Sequence, residues 1–336
     1  MKLSVLDQAP ISKGDTATTT LKHTVELAQY VEKLGYTRFW VAEHHNTKGL
    51  AGTSPEVLIS HIASMTNHIR VGSGGVLLPQ YSPLKVAENF KVLEALFPNR
   101  IDLGIGRSPG GNHATRLALT DHIQKSLNEF PRQVADLSGF LTDSLPASHD
   151  FKRVKATPRT ITNPSLWVLG LSERGAKTAA ENSTRFTFGH FINPTNGQKA
   201  IETYFEHFKV SSWQKRPMSN ACVFVVCAET KKEAELLALS QDLWLLNVET
   251  GKDTRIPSIK EVKSKRFTQR ELEKIQKNRK RCIIGTPDDV RKRLEELSEL
   301  YRTDEFLIIT NIFDFNAKLK SYRLLAEEFQ LEKRMQ

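Results

Sequence analysis

Two hydrophobic periods alternate along the chain. Short β-rich apolar runs stand at residues 3–7, 38–42, 69–77, 101–105, 166–170, 185–188, 221–227 and 305–310. Between them, apolar positions recur three and four apart, the period of an amphipathic helix. Leu21, Val25 and Ala28 form one such face, closed by Gly35, and Val86, Phe90, Leu93 and Phe97 form another. Ser54-Pro55-Glu56 and Thr286-Pro287-Asp288 each read as an N-cap followed by proline in the first turn. Residues 123–141 keep helical spacing, with a kink or split expected at Pro131.

Eight strand–helix units predict an α/β fold, a (β/α)8 TIM barrel. A doubly wound sheet uses the same alternation, so the repeat alone does not separate the two. Residues 142–165 and 247–281 interrupt the rhythm and read as loop insertions. The expected organisation is one domain over 1–331 and a C-terminal tail at 332–336.

Composition narrows the class. With 39% hydrophobic and 26% charged residues, the chain carries enough apolar material for a substantial core. Cys222, Cys227 and Cys282 are too few, and odd in number, for a disulfide scaffold. Cys222 and Cys227 sit five apart on one predicted strand, so they point to opposite faces and share no metal. An acid at Asp7 comes too early for a signal peptide, and no apolar run reaches the ~18 residues of a spanning helix. A cytoplasmic protein with no membrane partner is expected. The net charge of +10 suggests anionic partners, but no nucleic-acid motif accompanies it. Residues 252–281 hold twelve bases and four acids, a net of +8. That segment reads either as a solvated loop or as a positively charged mobile lid on the active-site side.

Active sites of parallel barrels gather at the C-terminal strand ends. Glu43-His44-His45 follows the second run, and histidine suits proton transfer near neutral pH. No HExxH occurs, and two adjacent histidines are poorly placed to chelate one ion, so no metal is expected. Gly74-Gly75 lies inside the third run, where glycine marks a bulge, a barrel corner or close approach of a ligand. Gly106-Arg107 follows the fourth run. The spacing is not GxGxxG, which leaves Arg107 as a cation for a phosphate or carboxylate. Ser172-Glu173-Arg174-Gly175 opens the fifth helix, either as a plain cap or as an anion site. Trp40, Gln80, Tyr81 and the two insertions are the expected substrate walls.

These pieces, in this order, resemble the bacterial luciferase-like flavin monooxygenase family. The stretches that carry the likeness are FWVAEHHN (39–46), RVGSGGVLLPQYSPLKVAE (70–88), RIDLGIGRSPGG (100–111), LWVLGLSERGA (166–176) and IIGTPDDV (283–290). The resemblance implies a luciferase-like barrel that binds reduced FMN and uses O2 to oxygenate a small organic substrate. It implies that Gly74 and Gly75 form a bulge against the flavin, often with a cis peptide. Arg107, with Ser172, Glu173 and Gly175, would hold the phosphate. His44 would be catalytic, with Glu43 and His45 supporting the pocket. Gly106 stands where luciferase itself has a reactive cysteine, so light emission is not implied. The family also implies a homodimer through the early barrel helices and an NAD(P)H:flavin reductase as supplier. A non-catalytic FMN-binding protein, or a deazaflavin-dependent oxidoreductase, are the alternatives on the same fold.

Overall fold

The computed structural model describes residues 1–108 and 110–333. Pro109 of the GRSPGG stretch and residues 334–336 of the expected tail lie outside the described residues.

Nine strands form in chain order: β1 Lys2–Asp7, β2 Arg38–Val41, β3 Arg70–Val76, β4 Ile101–Gly106, β5 Ser165–Gly170, β6 Arg185–Phe188, β7 Ser219–Cys227, β8 Cys282–Gly285 and β9 Glu305–Ile309. All pairings between them are parallel. Strands β1 to β6 follow in order, β6 pairs β7, β7 pairs β9, and β9 returns to β1. The chain is thus an α/β closed barrel of eight parallel strands. A doubly wound sheet is excluded, because these eight strands close into a ring.

The ninth strand was not among the eight predicted. β7 is nine residues long and outruns β6, which pairs only its first third. Its last four residues, Phe224 to Cys227, pair with β8. A four-residue run behind a basic helix is too short for periodicity to separate from a loop.

Two further expectations are corrected. Pro131 neither kinks nor splits a helix. It sits in the first turn of helix Phe130–Thr142, where its missing N–H costs nothing. Ile123, expected on that helix, is 63% exposed ahead of it. Residues 142–165 join a helix to the start of β5, so they lie at the N-terminal end of the barrel. Thr157 and Thr162 there hydrogen-bond Glu88 and Glu94 on helix Pro83–Leu96, and the segment supplies nothing to the cavity described below.

Side chains fill the barrel in layers. At the N-terminal end Arg38 bridges Asp102 (2.6 Å) and Glu305 (2.5 Å), while Arg70 adds a second cation to Asp102 (2.7 Å). Burial disfavours the Asp102 carboxylate, but Arg38 and Arg70 outweigh it and hold the group far below the usual carboxylate range. Above this ionic plug, Trp40 and Trp167 meet edge to face at 5.4 Å, among Leu6 and Leu307. Cys222 belongs to this inner cluster and Cys227 to the outer one, as the strand period requires.

Between β7 and helix Pro287–Tyr301 the chain makes a long excursion. It contains helices Lys231–Glu249, Ile259–Ser264 and Gln269–Arg279, then β8. This segment is packed: Leu243, Leu246 and Val262 form a small core with Phe267 and Ile275. The expected loop is therefore corrected to a packed helical segment, in which half of the twelve bases are paired. Lys252 and Lys265 pair with Glu271, Arg255 with Asp253, Lys274 and Arg281 with Glu249, and Arg279 with Glu235 and Asp242. Three of those acids stand on the preceding helix, outside the window that appears so basic in sequence.

Candidate active site

A cavity of about 750 Å³ opens at the C-terminal strand ends. Glu43, His44, His45, Gly74, Gly75, Arg107, Ser172 and Gly175 all line it. Glu173 does not; its exposed carboxylate turns outward to Lys199 at 3.5 Å. Of the expected substrate walls, Trp40 is present but Gln80 and Tyr81 are not.

The two histidines have different roles in the network. Glu43 is buried, and Oε2 accepts the Leu77 N–H at 2.8 Å. Its Oε1 accepts the Tyr81 hydroxyl and lies 2.7 Å from His45 Nε2. Burial and the Glu43 carboxylate both keep the Tyr81 phenol protonated far above its usual range. Tyr81 thus supports the site from behind the wall. Its position in LPQYSP, one turn after the strand, gave no such signal.

His44 has no carboxylate partner. Its backbone N–H is held by the Gly52 carbonyl at 2.9 Å, but Nδ1 is buried without a hydrogen bond. Burial first, and His45 second, depress its pKa from 6.5 to about 4. At neutral pH it is an uncharged imidazole, able to accept or donate a proton at the cavity.

Gly74 and Gly75 are joined by a cis peptide, and the β3–β4 register shifts between Gly74 and Val76. The glycines answer to the barrel wall. A Cβ on Gly74 would come within 2.6 Å of Leu6 Cδ1, and one on Gly75 within 2.6 Å of the Gly104 carbonyl oxygen. Gly106 differs: a Cβ there would meet nothing closer than 3.9 Å, on the cavity side of β4.

The anion-binding features gather at the ends of β4 and β5. Arg107 is exposed on the rim, with no hydrogen bond or ion pair among the described residues. Ser172 is the N-cap of helix Glu173–Glu181, yet its side chain makes no capping bond. A hydroxyl and first-turn N–H groups are therefore available beside a free guanidinium, the arrangement an anion takes at a helix start. Arg174, part of the Ser172–Gly175 stretch but not singled out as a phosphate ligand, joins the same rim and donates to Asn128 Oδ1 at 3.2 Å.

The comparisons with known proteins agree with this geometry. A family model described as luciferase-like monooxygenase matches residues 1–304. The chain belongs to the luciferase-like monooxygenase family. It is 57% identical over 327 residues to the uncharacterized protein YceB of Bacillus subtilis (strain 168), covering 97% of this chain and 99% of that one. It is 36% identical over 336 residues to the N-acetyl-S-alkylcysteine monooxygenase of the same organism, covering 99% and 100%. Among solved structures, apo-MsnO8 is similar, with a TM-score of 0.91, 37% identity and 99% coverage of both chains. The luciferase-like barrel is thus matched along its whole length, including the excursion between β7 and β9.

Proposed function

We propose that the protein is a monooxygenase that uses reduced FMN and O2 to oxygenate a small organic substrate. The observation that carries this reading is one cavity with two unlike sides. An unpaired arginine and an uncommitted serine hydroxyl stand at a helix start on one side, and a neutral histidine with a free ring nitrogen stands on the other. The residues present fit the cofactor: Arg107, Ser172 and the first-turn amides at Arg174 and Gly175 would hold the phosphate, and the open face of Gly106 leaves room beside it. Bound reduced FMN supplies the electrons that activate oxygen. The protein's part is to bind, orient and exclude water. Leu6, Trp40, Phe224 and Trp244 give the cavity apolar walls. His44 is the residue to hold or move a proton at Nδ1 or Nε2. His45, tied to Glu43, is the supporting partner. The name of the N-acetyl-S-alkylcysteine monooxygenase supports a small organic substrate.

Exposed Val57, Val92 and Leu96 on helices Pro55–Ser64 and Pro83–Leu96 support pairing with a second copy through the early barrel helices. An NAD(P)H:flavin reductase is the proposed source of reduced FMN. Among the described residues no helix is long and apolar enough to cross a membrane.

The test is a panel of organic compounds incubated with protein, FMN, NADH, a flavin reductase and labelled O2. The expected result is product carrying one labelled oxygen, lost in His44→Ala. Failure of the purified protein to bind FMN at micromolar concentrations would overturn the reading.

A further inference from the structure

Of the twelve bases between residues 252 and 281, Arg281 alone lines the cavity. It immediately precedes β8, beside β7. Arg107 lines the same cavity from the end of β4. Its side chain is only 14% exposed. Nη2 donates to Glu249 and, at 3.0 Å, to Asn278 Oδ1. These bonds fix the guanidinium. Nε is buried and has no acceptor.

Glu249 does not cancel this cation. Its second oxygen already accepts from Asn278 Nδ2 at 3.2 Å and lies 3.3 Å from Lys274 Nζ. Two cations thus share one carboxylate, and the cluster keeps a positive excess. Apart from Glu249 itself and Thr254, the wall around it is apolar, built from Phe224, Trp244, Leu245 and Val248. Nε is shielded, whereas Nη1 makes no hydrogen bond among the described residues and is not buried, so it is the nitrogen that an anion in the cavity can reach.

We infer that Arg281 receives a carboxylate at one end of the substrate, whose apolar body lies along Trp244 and Phe224 towards His44. This rests on the monooxygenase reading and names its substrate class: a small, otherwise apolar carboxylic acid. A neutral analogue of the same shape would leave the guanidinium unsatisfied, which is the condition for strong discrimination.

The probes are octanoate and methyl octanoate, titrated into flavin-free protein and followed by tryptophan fluorescence, since Trp40 and Trp244 line the cavity. Octanoate is expected to bind at least about tenfold more tightly, the effect of one charge-assisted hydrogen bond. Arg281→Met should reduce octanoate to the affinity of the ester, and Arg281→Lys should keep most of the preference. FMN affinity, measured separately, should be unchanged in both variants. Equal binding of acid and ester by the unaltered protein overturns the inference, as does a preference that survives Arg281→Met. Should Arg281→Met fail to fold, the acid–ester comparison on the unaltered protein decides alone. If FMN binds but octanoate is not preferred, only this inference falls; if FMN does not bind, the monooxygenase reading falls with it.

Discussion

His45 Nε2 lies 2.7 Å from Glu43 Oε1, while the adjacent His44 keeps its Nδ1 buried and unbonded. One backbone step therefore separates a histidine locked into a carboxylate–phenol network from one left free at the cavity. The lock depends on Tyr81, whose hydroxyl shares the same Glu43 oxygen. Tyr81→Phe removes one donor from a buried carboxylate. It should cost about 1–2 kcal/mol of stability in denaturant titration. Turnover should fall several-fold with FMN affinity unchanged, because Tyr81 does not touch the cavity.

The His44 pKa near 4 has a pH signature. The folded value is depressed, so the unfolded chain takes up a proton over a range where the folded chain does not. The stability this position contributes is complete above about pH 6.5 and is lost as pH falls towards 4. His190, also held near 4, acts in the same direction. Replacing His44 by Gln should shrink the acid destabilisation by up to about 3 kcal/mol, less where cavity water relieves the burial. Denaturant unfolding at pH 7 and pH 4.5, with and without the substitution, measures it. An NMR titration that placed the His44 midpoint above 6 would refute the assignment.

Two glycines in neighbouring strands should respond in opposite ways. Gly75→Ala drives a Cβ to 2.6 Å from the Gly104 carbonyl oxygen, a backbone atom that cannot step aside. A loss of about 2 kcal/mol or more is expected, as for other overpacked sites. Gly106→Ala has room, with nothing nearer than 3.9 Å, and should melt like the parent protein. Because its methyl group enters the cavity, it should weaken FMN binding instead. Thermal melts and flavin titrations on both variants separate the two effects.

Arg107→Ala should raise the FMN dissociation constant by about ten- to a hundredfold, the loss of one or two charge-assisted hydrogen bonds. The fold should be untouched, since Arg107 makes no hydrogen bond or ion pair among the described residues. Riboflavin, which lacks the phosphate, should bind the variant and the parent protein alike. A variant that loses both ligands equally would mean that Arg107 does not hold the phosphate.

Asp102→Asn tests the plug at the other end of the barrel. It strands Arg38 and Arg70 in a buried layer with one carboxylate instead of two. Breaking a buried ionic network by removing one partner typically costs about 3–5 kcal/mol. Chemical denaturation should show that loss, and FMN affinity in the surviving folded protein should be unchanged.

Much of the barrel was legible because strand and helix have different hydrophobic periods. Residues 38–42 and 101–105 were apolar runs ending in chemistry, and the ends of parallel strands converge in space. Hence Glu43, His44, Arg107, Ser172 and Gly175, far apart in the chain, line one cavity. Glu173 could not be placed this way: on the first turn of a helix, one residue's rotation decides whether a side chain faces the ligand or Lys199. The ionic plug left a readable trace in Arg38 and Asp102, charged residues at inward positions of apolar strands, but period alone does not say what they meet.

By itself the sequence determined the alternation of elements, the strand ends that bear chemistry and the family likeness, since each is written in local spacing. Only the tertiary structure decided closure of the sheet, the separate hydrogen-bond partners of His44 and His45, the pairing of part of the basic segment with Glu235, Asp242 and Glu249, and the exposure of Arg281 to the cavity. Those depend on distances between residues remote in sequence. A charge count along the chain treats the bases of 252–281 as neighbours of one another, whereas packing sets several of them against acids on the helix before.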